Sequence, residues 1–318
     1  KEKVSPEIYK RVEKILEEEQ YVTHMGARML SAGGSGLIAV ILTYKRIEKE
    51  SITEDPFVSS VIGAVQLALQ EKGYFLLLYS NPDMEECVRI SREWNVDGII
   101  LLGAKREGYY KIKASLSVPV VSIDTPFSAE DKDYVNVGLK DYEAAKEMTK
   151  YLLSMGHRKI AFFSLTEGGE LLEKHYIDSE RYRGFKEAME EEGLVAEGWH
   201  NLSFVEEIRK KQYFSFYEEN FFHATALFFT ADIMALEMMR FCMDRGISIP
   251  EKLSVVGFDG IKAGRCMHPM LTTMKQDSAE KGRRAVRELL SLLEEGEGSY
   301  KNIRLPVHLF IGETVARI

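Results

Sequence analysis

Cysteine is scarce in this chain: Cys87, Cys242 and Cys266 are the three in 318 residues, and none belongs to a paired-thiol motif. That excludes a disulfide framework or a cysteine-built zinc site, suits a reducing compartment, and leaves the three thiols as buried space-fillers. No apolar run reaches the roughly 18 residues of a membrane-spanning helix. The charged start from Lys1 to Glu19 also lacks the apolar stretch of a secretory signal. Both absences lead us to expect a cytoplasmic protein without a membrane partner. Because the sequence starts at Lys1 rather than Met, a preceding segment is expected.

Basic charge is in short supply too. The net charge is −8, whereas affinity for phosphates needs clustered Lys and Arg, so any nucleic-acid contact must be local. Residues 1 to 30 carry six basic side chains (Lys1, Lys3, Lys10, Arg11, Lys14, Arg28) against six acidic ones (Glu2, Glu7, Glu13, Glu17, Glu18, Glu19). Signatures of catalysis are missing as well. Gly33, Gly34 and Gly36 precede a strand rather than joining a strand to a helix, so they form no dinucleotide fingerprint. None of the seven histidines pairs with another at metal-ligand spacing on one helix. No serine has the setting of a nucleophile elbow. An enzyme, a metal site and a cofactor are therefore not expected.

What the sequence does contain is a large apolar fraction, 45%, in a length that suits about two domains. Ser5, Pro6 and Glu7 open a helix that runs to about Glu19: Ser5 caps free amides, Pro6 fits the first turn, and Glu7 meets the positive end of the dipole. Its stripe of Ile8, Val12, Ile15 and Leu16 needs a partner outside residues 1–20. A short helical stretch, Met25 to Leu30, and the flexible run Ser31 to Gly36 follow.

From there strands and helices alternate, as in parallel βαβ units. Strands are expected at 37–42, 74–79, 98–102, 118–123, 159–163, 226–229, 253–257, 271–274 and 307–311. Helices are expected after Pro56 and at 83–95, 141–155, 179–193, 231–245 and 278–294. The aromatic-rich stretch Tyr213 to Phe222 reads as helical core rather than a binding face. The natural product is α/β: two Rossmann-like lobes with parallel sheets, preceded by a helical N-terminal segment, with ligand groups at the carboxyl ends of the strands.

Motifs in a fixed order carry a resemblance to the LacI/GalR family of transcription regulators. They are Asp55-Pro-Phe57, Val96-Asp-Gly-Ile-Ile100, Pro119-Val-Val-Ser-Ile-Asp124, Gly156-His-Arg-Lys-Ile-Ala161, Arg181-Tyr-Arg-Gly-Phe185, Asp232-Ile-Met-Ala235, Leu253-Ser-Val-Val-Gly-Phe-Asp259 and Leu271-Thr-Thr-Met-Lys-Gln276. The stretch Val4 to Tyr21 resembles the last helix of that family's DNA-binding headpiece, and Ala27-Arg-Met-Leu30 its hinge helix.

The resemblance implies a homodimeric, cytoplasmic, sugar-responsive repressor that binds operator DNA and has a sensor fold like that of type I periplasmic binding proteins. It further implies residues 1–35 as headpiece remnant, hinge and linker, 36–138 with 276–306 as the N-terminal lobe, and 139–275 with 307–318 as the C-terminal lobe. DNA contacts are implied for Tyr21, His24, Ala27, Arg28 and Leu30, the leucine wedging between base steps in the minor groove. Effector contacts are implied for Phe57, Asp124, Arg181, Phe228, Asp232, Asp259 and Gln276.

Arg181, a fixed fork of donors, and Asp259, a pure acceptor, would grip adjacent hydroxyls from opposed helix and strand ends; the alternative for each is a salt bridge between lobes. The chain departs from the family at Ala231, where Asn is common, at Val137-Gly138-Leu139, which replaces an Asp-Asn pair, and at Gly312, in place of Arg. A periplasmic-type sugar-binding protein is the alternative, but its fold would not need residues 4–30.

Overall fold

The computed structural model describes residues 5–19, 34–43, 52–165, 177–196, 199–219, 223–296 and 301–318. The hinge positions Tyr21, His24, Ala27, Arg28 and Leu30, and Phe221 and Phe222, lie outside these residues. Helix α1 (Pro6–Glu18) starts where Ser5 Oγ accepts the Ile8 amide at 3.4 Å. Its apolar stripe is open to solvent, with Ile8 56% and Val12 49% exposed.

One sheet joins β1 (Leu37–Leu42), β2 (Phe75–Ser80), β3 (Gly98–Leu102), β4 (Val120–Ile123), β5 (Val135–Leu139) and β11 (Lys301–Leu305). Their order is β11-β5-β4-β3-β1-β2, all parallel. The other joins β6 (Ile160–Leu165), β7 (Trp199–Leu202), β8 (Ala226–Phe229), β9 (Ser254–Asp259), β10 (Thr272–Lys275) and β12 (His308–Phe310). Their order is β12-β10-β9-β8-β6-β7, with β12 antiparallel to β10. The chain therefore passes between the sheets after β5, after β10 and after β11.

Helices cover both faces of each sheet, which is why the central strands read as unbroken apolar runs rather than alternating ones. On one face of the first sheet, Ile38, Val40 and Leu42 pack with Val61 and Val65 of α2 (Pro56–Glu71) and Ala285 and Leu289 of α10 (Ser278–Glu295). On the other, Ala39, Ile41 and Leu101 meet α3 (Met84–Glu93) and α4 (Arg106–Ser115). The second sheet packs Phe162, Phe228 and Phe258 against α5 (Asp141–Ser154) and α6 (Ile177–Glu191). Its opposite face packs Phe163, Leu227 and Phe229 against α7 (Glu206–Glu219) and α8 (Asp232–Asp244). The short α9 (Lys262–Cys266) follows β9.

Strands β5, β7 and β11 and helix α4 were not foreseen in the sequence. Asn136 and Gly138 interrupt the apolar signal of β5, while β7 and β11 are polar sequences on or beside sheet edges, where one side of a strand needs no apolar partner. The aromatic stretch is core only in part: Tyr213 and Phe216 are buried in α7, whereas Phe214 is 45% exposed. Cys87 and Cys242 are buried but Cys266 is exposed, because α9 is a single short turn on the surface. No helix among the described residues is long and apolar enough to cross a membrane.

Candidate effector site

The carboxyl ends of the two sheets face a shared cleft. Both strand-end aspartates there hold an uncommon backbone: φ is +57° at Asp124, after β4, and +119° at Asp259, ending β9. Residues other than glycine seldom adopt such values, and Asp is among those that do. A cavity of about 680 Å³ opens between the lobes, lined by Asp124, Thr125 and Phe127 from one and by Tyr142, Tyr182 and Trp199 from the other.

On the first lobe, both Asp124 oxygens accept from the ammonium of Lys281, at 2.9 and 2.7 Å. Lys281 is 0% exposed, and its Nζ lies 4.8 Å from the centre of the Phe57 ring. Burial pushes the Asp124 carboxyl above its ordinary range while Lys281 pulls it back, and Asp141 and Arg181 of the facing lobe also act on it. Phe57 itself sits in the first turn of α2, where Asp55 caps the helix by accepting from the Phe57 and Val58 amides.

On the second lobe, Arg181 donates from Nε to Asp141 at 2.8 Å and from Nη1 to the Thr230 carbonyl at 2.6 Å. Its guanidinium stacks 3.6 Å from the centre of the Phe258 ring and is 3.9 Å from Asp178. Burial lifts the Asp178 carboxyl to about 6, against the pull of Arg181. Asp259 accepts from Gln276 Nε2 at 2.6 Å, and burial together with nearby Asp232 drives its carboxyl well above the usual range. Gln276 Oε1 is buried with no hydrogen-bond partner among the described residues. Arg181 and Asp259 thus belong to the same lobe and do not bridge the two. Arg181 is held by Asp141 at the start of α5, where the chain has just crossed over.

Two positions named from the resemblance lie elsewhere. Phe228 is 0% exposed inside β8, with its ring 5.2 Å from Phe162, because it points into the layer under α5 and α6 and not past the strand end. Asp232 is 0% exposed and spends both oxygens on the protein, accepting from Thr273 Oγ1 at 2.6 Å and the Ile261 amide at 2.8 Å. Burial lifts its carboxyl to about 7. It fastens the loop after β9 from behind, and a Cβ on Gly257 would come within 2.2 Å of its Oδ1. Of the positions named, Asp124 lines the cavity; Arg181 acts on both Asp124 and Asp259, Gln276 holds Asp259, and Phe57 lies against Lys281.

Sequence reasoning missed Lys281, Asp141 and Asp178. Lys281 shares a helical stripe with Ala285 and Leu289, both 0% exposed, and that spacing of four was the available signal. Among the described residues no cluster of side chains suits a metal ion.

With this geometry in hand, comparison with known proteins is informative. The family described as periplasmic binding protein-like domain matches residues 149–315. The chain belongs to that family. Within it, the relatives are transcription regulators of LacI/GalR type, and so is this chain; it is a regulator and not an enzyme. The regulator is 27% identical over 319 residues to the HTH-type transcriptional repressor PurR of Pasteurella multocida (strain Pm70), covering 98% of this chain and 91% of that protein. It is 26% identical over 322 residues to the ribose operon repressor of Haemophilus influenzae, again covering 98% and 91%. Its fold matches a lac repressor dimer bound to operator and an anti-inducer, with a TM-score of 0.77 at 21% identity, covering 93% of this chain and 99% of that one.

Proposed function

We propose that the regulator senses a small hydroxyl-rich effector, a sugar before all others, between its lobes. Effector binding favours one lobe arrangement, and the lobes transmit this to operator DNA through a hinge. The observation that carries the reading is Gln276, whose buried Oε1, beside Asp259 at the end of β9, has no donor among the described residues while its Nε2 holds Asp259. A buried acceptor without a partner costs free energy that a ligand hydroxyl would recover. Asp124 and Asp259 offer further acceptors from the two lobes, Arg181 orders Asp141 beside them, and Phe57 supplies an apolar wall.

The working division is 36–138 with 276–306 and 139–275 with 307–318, residues 1–35 serving the headpiece and hinge; Tyr21, His24, Ala27, Arg28 and Leu30 are the candidate DNA contacts. A cytoplasmic homodimer fits this role. Leu67 of α2 and Phe75 and Leu78 of the edge strand β2 are 60%, 54% and 40% exposed and give the first lobe an apolar flank for a second copy. Sedimentation should show a dimer that Phe75→Asp with Leu78→Asp turns into a monomer; an unchanged dimer would locate the interface elsewhere.

Thermal denaturation with a panel of mono- and disaccharides, polyols and purines tests the sensor. A ligand at 100 times its Kd adds about 2.7 kcal/mol. A midpoint that moves with none of them refutes a sugar-sized effector. The periplasmic-type alternative shares the fold, but the repressors named above match residues across 98% of this chain.

A further inference from the structure

We propose, building on the sugar-sensor reading, that the cavity between the lobes holds a second subsite, built around Gly138 and Thr125, which takes the second ring of a two-ring ligand, a disaccharide or a glycoside. The geometry begins at Asp124. That residue is held by Lys281 at the strand end and also lines the cavity of about 680 Å³, whereas Arg181, Asp259 and Gln276 do not line it. Beyond Asp124, the first lobe's wall is the edge pair of β5 and β11. The volume falls within the roughly 300–1,000 Å³ of pockets that enclose drug-sized ligands, and it leaves room beyond a single sugar ring.

Strand alternation makes that wall polar. Val135, Val137, Ile303 and Leu305 pack into the core with α2 and α10, so Asn136 and Gly138, with Asn302 and Arg304 beside them in register, stand on the opposite face. Asn136 is fixed there: its Oδ1 accepts from Ser122 Oγ at 3.0 Å and from the Thr125 amide at 3.1 Å, and its Nδ2 donates to Asn302 at 3.1 Å. An amide nitrogen carries a further hydrogen for a ligand. A Cβ built on Gly138 would lie 3.4 Å from this Nδ2 and 3.9 Å from Asp124 Oδ1, so the space the glycine leaves has a donor and an acceptor in reach. Thr125 supplies a second, independent observation. It is 3% exposed and lines the cavity, yet its Oγ1 is buried with no hydrogen-bond partner among the described residues. A ligand hydroxyl would recover what that isolation costs.

The second lobe supplies the opposite wall. Tyr182 of α6 and Trp199 of β7 line the cavity with their rings stacked, the centres 4.5 Å apart. Such an aromatic pair suits the apolar face of a sugar ring whose hydroxyls turn to Thr125 and Asn136. Arg304, and Arg183 with its partner Glu180, complete the lining. A guanidinium donates to hydroxyl oxygens and to anions alike, so the subsite selects by size and hydroxyl spacing rather than by charge. The departure from the family at Val137-Gly138-Leu139 falls at this place, where any side chain at position 138 would occupy the space meant for the ring.

The experiment is calorimetric titration of glucose and galactose, beside maltose, cellobiose and lactose, into the wild type, Gly138→Met and Thr125→Val, with melting curves to show that each variant folds. Gly138 lies within β5 and the built Cβ meets its nearest neighbours at 3.4 and 3.9 Å, ordinary contact distances, so methionine can enter the chamber without forcing the backbone. Thr125→Val keeps the shape and removes only the unpartnered hydroxyl. In the wild type at least one disaccharide should bind about ten-fold or more tightly than its component monosaccharide, a difference of about 1.4 kcal/mol. Each substitution should weaken that disaccharide about ten-fold more than the monosaccharide. Loss of a merely structural group would weaken both alike. A wild type that binds no disaccharide more tightly than its monosaccharide overturns the proposal and leaves the sugar-sensor reading standing. Equal effects on one-ring and two-ring ligands in the folded variants also overturn it. Silence from every sugar would sink the sugar reading itself, and this proposal with it.

Discussion

Replacing Arg181 by methionine removes the guanidinium from a site where it touches Asp141 at 2.8 Å, the Thr230 carbonyl at 2.6 Å and the face of Phe258. Methionine fills much of the space, so the loss is electrostatic: Asp141 and Asp178 are left buried without their cation. Deleting one partner of a buried ion pair costs about 3–5 kcal/mol. Taken at about 2 °C per kcal/mol, the lower end for large domains, the midpoint falls by roughly 6–10 °C.

The deficit must depend on pH. Without Arg181 the folded protein binds a proton at Asp178 that the unfolded chain releases, so stability is fullest below the ordinary carboxylate range and is lost as pH rises through the raised value. Asp178, already at about 6 with Arg181 beside it, moves further up. Scanning calorimetry of wild type and Arg181→Met at about pH 5.5 and about pH 8, on the two sides of that range, should show a larger gap at the alkaline pH. A midpoint within about 2 °C of wild type, near 1 kcal/mol, or a gap equal at both values, would refute the claim that Arg181 neutralises this cluster.

Two further outcomes follow from the positions that the structure moves out of the cleft. Phe228→Ala should destabilise by about 3–5 kcal/mol through the cavity it leaves in the layer under α5 and α6, yet effector affinity of the folded fraction should stay unchanged; lost affinity with normal melting would return Phe228 to the site. Asp232, lifted to about 7 by burial, keeps its proton when folded, so its contribution to stability is complete below about 4 and declines as pH rises toward 7. Asp232→Asn stays neutral and can keep both the Thr273 and Ile261 bonds, so melting midpoints measured between pH 5 and 8, roughly the span of that loss, should vary less with pH than those of wild type. An undiminished slope would show that another group carries it.

The sequence alone determined the lobes, because the runs Leu37–Leu42, Gly98–Leu102 and Ala226–Phe229 are apolar at every position. Only a strand covered on both faces tolerates that. It also determined which residues end those strands: Asp124 and Asp259 follow apolar runs directly, so strand polarity alone sends them to the carboxyl edge. The hydrophobic pattern could not show the edge strands β7 and β11, where His200 and Asn201 and then Lys301 and Asn302 break the apolar run.

Partnership was decided by tertiary structure. Asp124 and Lys281 are 157 positions apart, and Arg181 and Asp141 are 40 apart, so their pairing depends on how the crossovers bring α10 beside β4 and α6 beside α5. The same holds for depth. Phe228 and Asp232 carry motif-matched side chains near a strand end, but whether such a group reaches a ligand or a neighbour depends on a few ångströms of packing. At Asp232 the Thr273 hydroxyl and the Ile261 amide arrive first. A one-dimensional pattern gives the face on which a side chain stands, but which groups then compete for its hydrogen bonds depends on segments brought together only by folding.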